Sequence, residues 1–290
     1  RVVVTGKAAA ERGLLHALDY FGGDPATSRN AQVLFSETTA SEILGAKGNQ
    51  GILPAEMLEQ IAENAGQHGK IPNVKLFEVL KAADEDDKGV LLPVIAQIPQ
   101  DSESKSGTEQ IDSISTVHLT QAAAFTKDGF FCRIFDENES RGALWLLNDM
   151  DHTKLTVSVP KQYTAALEFY EVNTTLSPIL NQDKISFHLT VSCRASLTET
   201  VLTGSSAAHL TEDITARAQA LIADECNAAW ARAGALSTDL FRLKDHILQK
   251  DTARYEQVKS TFDETLSDCL LTTSVTVTID RYGKEYLPFS

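Results

Sequence analysis

Histidine and cysteine are residue types that often bind metal ions or act in catalysis, and the chain contains seven histidines and four cysteines. Metal sites bring such residues together at short spacings such as C-x-x-C or H-E-x-x-H, and the sequence contains neither pattern. The cysteines are scattered along the chain, at Cys132, Cys193, Cys226 and Cys269. We therefore expect no metal site and no cofactor, whereas the sequence leaves open whether any cysteines pair.

Each of four histidines has a simple structural interpretation. His118 and His188 fall on the polar side of predicted strands, which is typical of solvated side chains. His16 lies three residues before Asp19 on a predicted helix, a spacing that favours a surface contact. His68 lies near a predicted helix C-terminus, where the helix dipole favours a positive charge. None of these positions indicates a catalytic base.

The acidic residues offer two candidate sites. Glu137 and Glu139 are neighbouring carboxylates, the residue type that glycosidases use as acid and base, but nothing marks them for those roles. The acidic run at 84–87 could attract calcium, yet it lacks the glycine and the distal glutamate of an EF-hand loop. A solvated turn is the interpretation that we favour for this run.

Motifs of common catalytic and nucleotide-binding sites do not occur in the sequence. We find no G-x-S-x-G, no P-loop and no G-x-G-x-x-G. A Gly-Ser-Ser run at 204–206 resembles a phosphate-binding loop only superficially, and a turn before a helix explains it. We therefore assign no catalytic and no cofactor-binding residue.

Length and charge limit the possible classes of protein. The chain has 290 residues, with 42% hydrophobic and 23% charged residues, which predicts a globular protein of two domains or one large domain. The net charge of −14 argues against a nucleic-acid partner, because the phosphates would be repelled. No apolar run of about 18 residues is present, so we expect no membrane-spanning helix.

The element that organises the second half is a predicted strand at residues 184–197. Side chains alternate between the two faces of a strand, and here one set is apolar throughout while the other is polar throughout. The apolar set is Ile185, Phe187, Leu189, Val191, Cys193, Ala195 and Leu197. The polar set is Lys184, Ser186, His188, Thr190, Ser192, Arg194 and Ser196. This pattern predicts a long antiparallel strand with one face on a core and the other towards water.

Other predicted elements surround that strand in the sequence. Strands are predicted at 155–159, 165–175 and 275–279, and helices at 212–232, 238–250 and 254–266. This order predicts an α+β domain in which helices cover one face of an antiparallel sheet of about four strands. We expect the apolar stripe of the 212–232 helix to lie on the apolar face of the 184–197 strand. Trp145 and Trp230 are expected to be core residues.

The first part of the chain is predicted to form a separate α+β region. Strands are predicted at 2–4, 32–35 and 90–98, and helices at 8–21, 56–65 and 73–83, with a short helix after the Thr39–Glu42 capping box. Pro93 favours an edge strand or a bulge.

A polar run and a hairpin separate this region from the second half. The run at 99–110 is typical of a linker, and Asp128-Gly129 between two strand-like runs predicts a hairpin. We place the domain border near residue 111, which gives domains 1–111 and 112–290. The sequence leaves open which domain the hairpin packs against.

An ordered series of short motifs resembles a known family. Glu139-Ser140-Arg141 precedes Gly-Ala-Leu-Trp-Leu-Leu at 142–147, and Ala229-Trp230, Thr-Asp-Leu-Phe-Arg-Leu at 238–243 and V-x-V-x-I-x-R-x-G at 275–283 follow. Upstream, further matching positions lie at 3–14, 24–25, 29, 39–44 and 92–93. The series covers nearly the whole chain and is similar to the C subunit of bacterial spore germinant receptors, the Ger(x)C lipoprotein family.

The resemblance implies a function and a location. A member of that family would be a non-enzymatic lipoprotein on the outer face of the spore inner membrane, in contact with the integral membrane A and B subunits of the receptor. Family members begin with a signal peptide and a lipid-bearing cysteine, which this chain lacks. Because the chain opens at Arg1 in an apolar run, we expect it to begin partway through a longer protein.

Two alternative functions remain open from the sequence. One is a hydrolase acting on cell-wall sugar through Glu137 and Glu139, which requires that these carboxylates line a cleft. The other is a small-molecule germinant-binding module, which requires a largely apolar pocket with a few converging polar groups. The function that we expect is protein–protein contact through rigid α+β surfaces.

Overall fold

The computed structural model describes residues 2–24, 27–45, 54–67, 69–85, 88–98, 116–159, 163–181, 184–202 and 210–282. The chain divides into two compact units. The first comprises residues 1–66 and 70–137, and the second comprises residues 67–69 and 138–290. The polar run at 99–110 and the border predicted near residue 111 lie outside the described residues, so the border stays a prediction.

The first unit contains a mixed five-stranded sheet. Its strands are β1 (Val2–Gly6), β2 (Gln32–Ser36), β3 (Val90–Ile98), β4 (Thr116–Phe125) and β5 (Phe131–Phe135), in that spatial order. The pairs β1–β2 and β2–β3 are parallel, whereas β3–β4 and β4–β5 are antiparallel. The predicted hairpin is β4–β5, and it belongs to this unit because β4 pairs with β3 along most of its length.

Helices of the first unit contribute to clusters on both faces of this sheet. They are α1 (Lys7–Gly23), α2 (Ala40–Leu44), α3 (Pro54–Gln67) and α4 (Leu76–Glu85). Phe35 packs in a cluster with Leu14 of α1, while the adjacent Leu34 packs in a second cluster with Leu58 of α3. Because adjacent strand residues point to opposite faces, β2 is buried on both sides. Thr39 caps α2 by accepting a bond from the Glu42 backbone N–H, as the capping-box spacing predicts.

Pro93 lies in an interior strand beside a bulge. The register of β3 against β4 shifts between Val94 and Ile95, one residue after the proline. Strand β3 lies between β2 and β4, but its registered pairing with β2 is limited to Phe35 and Val94. Of the two positions that the sequence favours for this proline, the structure shows the bulge. The missing N–H of proline is tolerated where ladder pairing is interrupted.

The second unit contains a four-stranded sheet in the order β6 (Thr153–Val159), β7 (Tyr163–Leu180), β8 (Ile185–Leu202) and β9 (Leu270–Tyr282). The pairs β6–β7 and β7–β8 are antiparallel, as expected. Strand β9 instead runs parallel to β8 along its length. The α+β class is therefore confirmed, with one correction: the sheet is mixed, because the helical segment after β8 carries the chain back to the end of the sheet where β8 begins.

Helices of the second unit are α5 (Glu137–Leu147), α6 (Leu210–Ala235), α7 (Leu243–Lys250), α8 (Thr252–Val258) and α9 (Phe262–Thr265), with a 3-10 turn at Leu266–Asp268. The predicted helix at 238–250 begins five residues late because Arg242 adopts a left-handed conformation, with φ of 57°. The predicted helix at 254–266 is divided between α8 and α9.

The core of the second unit forms on the apolar side of β8. Phe187, Leu189 and Val191 are fully buried. The ring of Phe187 lies 5.3 Å from that of Trp230 in α6 and 6.5 Å from that of Phe262 in α9. The predicted contact between the long helix and the apolar face of the organising strand is therefore observed.

Candidate functional site

The candidate functional site is the solvent-facing side of the second sheet, which we call the outward face. Its central rows run across β7, β8 and β9, and each row contains side chains in register. From one end the rows are Ile179–Ser186–Leu270, Ser177–His188–Thr272, Thr175–Thr190–Ser274, Asn173–Ser192–Thr276 and Tyr170–Arg194–Thr278. In the third and fourth rows all six side chains are exposed and uncharged. The outward face is therefore a broad, hydroxyl-rich surface opposite the core.

Charged groups are concentrated at one end of the outward face. Arg194 donates to Glu171 over 3.2 Å and also forms an ion pair with Asp280, which accepts a hydrogen bond from Tyr170. Hydrogen bonds to Glu171 and then to Asp280 raise the pKa of Arg194 above its ordinary value. Side chains from β7, β8 and β9 meet in this cluster, so its geometry depends on the sheet.

A β-bulge places Glu171 in that cluster. The register between β7 and β8 shifts between Tyr170 and Asn173, and Glu171 has a φ of 49°. The left-handed conformation is uncommon for a residue other than glycine. Beyond the bulge, the backbone N–H of Thr174 donates to the side chain of Asn148 over 2.8 Å. The bulge is thus held in place from outside the sheet, and Glu171 is 62% exposed at its side chain.

The opposite end of the outward face is apolar. Leu270 is 67% exposed and Ile179 is 40% exposed, and both flank the small side chain of Ser186. In the next row, His188 forms a 2.8 Å hydrogen bond with Thr272. The outward face therefore changes from aliphatic to hydroxyl-rich to charged along the strands.

Buried ion pairs hold α5 against α6 in the same unit. The side chain of Glu225 is 2% exposed. The Arg141 Nε–H is shared between its two oxygens, at 2.9 and 3.0 Å, Arg141 Nη2 also donates to it, and Trp145 Nε1 donates at 3.1 Å. Glu139 pairs with Arg232 at 2.6 Å. These contacts satisfy charges that would be costly if they were buried alone.

A second buried carboxylate organises the start of α7. Asp239 is 1% exposed and accepts backbone N–H bonds from Phe241, Leu243 and Lys244 at 3.3, 2.9 and 3.0 Å. Burial raises the pKa of Asp239, and these hydrogen bonds oppose the shift. Lys244 in turn forms a 3.1 Å ion pair with Asp263. This arrangement positions a helix and leaves the carboxylate enclosed.

Comparisons with known proteins agree with this architecture. A family model described as "Spore germination B3/ GerAC like, C-terminal" matches residues 120–283, and one described as "Spore germination protein N-terminal domain" matches residues 1–97. The chain belongs to the spore germination B3/GerAC-like family. The family that the ordered motifs predict is therefore confirmed.

Two individual proteins are similar to this GerAC-like chain. Spore germination protein KC of Bacillus subtilis (strain 168) is 25% identical over 196 residues, which are 66% of this chain and 48% of that protein. The chain thus spans about half the length of this curated relative. The crystal structure of the GerBC protein matches with a TM-score of 0.73 and 13% identity, covering 96% of this chain and 78% of that one. The structural likeness shows a shared fold.

The carboxylates considered for hydrolysis occupy different environments in this GerAC-like chain. Glu137 is exposed, whereas Glu139 is buried and paired with Arg232. Asp84 and Glu85 lie in the last turn of α4, and the remaining two residues of that acidic run lie outside the described residues. The glycosidase hypothesis requires two carboxylates that line a cleft, and the pairing of Glu139 does not favour it.

The other candidates are distributed through both units. Trp145 and Trp230 are buried, as expected of core residues. His118 and His188 are half-buried, which corrects the expectation that both are solvated; Nδ1 of His118 is buried without a hydrogen-bond partner. His68 and the Gly-Ser-Ser run at 204–206 lie outside the described residues.

The cysteines are all free thiols, and burial raises the pKa of Cys193 to about 12. Within the ranges that the structure describes, no group of three or more His, Cys, Asp or Glu side chains could hold a metal ion. No helix in those ranges is long and apolar enough to cross a membrane.

Sequence reasoning missed the buried partners of the charged residues. Glu225 lies three residues after Ile222 and four before Ala229, so it is in phase with the apolar stripe of α6. A charged residue at a core position of a helix requires a partner, so the sequence position of Glu225 could have indicated a buried ion pair. The identity of that partner, Arg141 on α5, depends on tertiary contacts 84 residues apart.

Proposed function

We propose that this chain is part of the C subunit of a spore nutrient germinant receptor, and that it acts as a non-enzymatic component of the signal that triggers germination. The observation that carries the proposal is the match of both family models, to residues 1–97 and 120–283. The GerBC-like fold supports it. Because the chain spans about half of its curated relative, the role of the complete protein is part of the proposal.

The mechanism in this proposal is protein–protein docking, with the integral membrane A and B subunits as partners. The outward face offers a broad exposed surface whose backbone is fixed by long ladders between β7, β8 and β9. Behind it, helices fill the core side, and the Glu225 and Glu139 ion pairs join α5 to α6. A rigid surface loses little conformational entropy on binding, which favours affinity for a partner.

The location in this proposal is the outer face of the spore inner membrane, where an N-terminal lipid of the full-length protein serves as the tether. Family membership supports this location. The net charge of −14 opposes unaided adsorption to anionic lipid, so the proposed tether is the covalent lipid and not charge attraction to the membrane.

The experiment that tests this function introduces bulk on the outward face of the full-length protein in spores. Thr190→Trp places a large side chain at an exposed position in the centre of the face. We expect a slower germination response to nutrient and less of the integral subunits recovered with the tagged protein. Ala216→Trp, at an exposed position of α6, is the matched control. An unchanged germination response and unchanged recovery for a folded Thr190→Trp protein would contradict the proposal.

A further inference from the structure

The outward face has one charged end and one aliphatic end, and we propose that it docks a cationic polypeptide segment of an integral membrane partner. In this arrangement basic side chains meet the charged end near Glu171 and Asp280, and aliphatic side chains meet the row of Ile179 and Leu270. The inference rests on the proposed function, since it specifies the chemistry of the partner at the same surface.

The charge balance of the outward face supports a positive occupant. Its described charged side chains are four carboxylates and three cations: Glu168, Glu171, Glu199, Asp280, Lys154, Arg194 and, beyond Ser186 at the opposite end, Lys184. Lys154 lies 3.6 Å from Glu168, and Arg194 is shared between two of the remaining carboxylates. Among the side chains that the structure describes, carboxylates therefore exceed cations at the charged end, and a basic side chain of a partner would balance the excess.

The separation of the two ends defines the size of the occupant. On β8, Arg194 and Ser186 are eight residues apart, which corresponds to about 26 Å along a strand. Between these ends lie the two rows in which all side chains are exposed and uncharged. Their hydroxyls and one amide can both donate and accept hydrogen bonds. A segment that contacts both ends needs about eight extended residues or a helix of about 17 residues.

Other occupants are disfavoured by the same charges. A second copy of this chain would bring carboxylates against carboxylates, and each copy carries a net charge of −14. Anionic lipid headgroups and nucleic acid would meet the same repulsion. The aliphatic row contains two exposed large side chains, so it suits a few apolar residues of a protein segment.

The test measures how much of the integral receptor subunits is recovered with the tagged full-length protein from solubilised spore membranes. Glu171→Lys and Glu199→Lys each reverse one charge on the outward face. Glu199 pairs in register with Ala166 next to a different bulge, so its variant does not depend on the backbone at Glu171. Asp224→Lys makes the same charge change at an exposed position of α6. We expect about a fivefold to tenfold loss of recovery for the first two, which is greatest at low salt, and little change for the control.

The apolar end is tested by a second matched pair. Ile179→Asp introduces a charge into the aliphatic row, whereas Leu248→Asp does so at a similarly exposed position on α7. We expect a loss of recovery for the first variant alone. If the wild-type protein recovers no integral subunit, the proposed function is contradicted and the inference falls with it. If the wild-type protein recovers them and the outward-face variants match their controls, the inference alone is overturned.

Discussion

Gly142 of α5 lies directly against the backbone of Glu225 in α6. A Cβ atom added at Gly142 would be 2.0 Å from the Glu225 carbonyl oxygen, a distance that real Cβ atoms do not reach. Any other residue here would push the two helices apart, and the Arg141 and Trp145 side chains would lose their shared carboxylate. The close approach explains why the motif Gly-Ala-Leu-Trp begins with glycine.

Replacing Gly142 by alanine should therefore destabilise the second unit strongly. We expect Gly142→Ala to lower the free energy of unfolding by about 3 kcal/mol, because the contact is with backbone that cannot rotate away. Urea unfolding followed by circular dichroism measures the change. Gly23→Ala is the control, because a Cβ atom there would meet nothing within 4 Å. Equal stability of the two variants would show that α5 and α6 are not packed this closely.

Removing the buried carboxylate should be nearly as costly. Glu225→Ala leaves Arg141 and the Trp145 N–H without their partner, so we expect a loss of about 3 kcal/mol in the free energy of unfolding. The control is Glu256→Ala, which breaks the exposed pair with Lys259 and should change the free energy of unfolding little. Similar losses in both variants would mean that water reaches the Glu225 site.

Asp213 should contribute stability that depends on pH. The Tyr163 hydroxyl, 2.6 Å away, and the Arg217 guanidinium hold the pKa of Asp213 below its ordinary value. Because the folded-state pKa is the lower one, the contribution is present above the unfolded pKa and is lost as pH falls through the folded pKa. Asp213→Asn should therefore be less stable than the parent near pH 7, and the difference should shrink below about pH 4. A difference that is constant across this range, measured by urea unfolding, would contradict this assignment.

Cysteine reactivity should follow burial. Burial raises the pKa of Cys193 to about 12 and that of Cys269 to about 11, whereas Cys132 is only half-buried. The thiolate is the reactive form, so a maleimide at neutral pH should label Cys132 first. Peptide mass spectrometry of the native and the urea-unfolded protein measures the order of labelling. Labelling of Cys193 in the native protein at the rate of Cys132 would be inconsistent with the core described above.

Local patterns predicted much of this fold because the physical constraint in each case acts within one element. Strict alternation at 184–197 predicted β8, and helical spacing predicted α6 with Ile222 and Ala229 facing the core. Asp128-Gly129 predicted a hairpin, and Gly129 adopts the positive φ of 78° that such a turn requires. The ordered motifs also identified the family correctly.

What the sequence did not predict depends on contacts between distant elements. Gly13 interrupts α1 with φ of 120°, and the released N–H of Leu14 donates to the Gly129 carbonyl at 2.7 Å. Neither residue alone indicates this contact. The same holds for Asp239, whose bonds to three backbone N–H groups delay the start of α7, and for the parallel pairing of β9. The change from an aliphatic to a charged end of the outward face depends on the register of three strands, which the sequence alone does not give.

Site-specific photo-cross-linking in intact spores tests the docking role of the outward face most directly. A photo-reactive phenylalanine derivative would replace Ser192 at the centre of the face, or Asp224 on α6 as a control, in the full-length protein. We predict a covalent adduct with an integral receptor subunit from position 192 and none from position 224. An adduct from position 224 with none from position 192 would contradict the account.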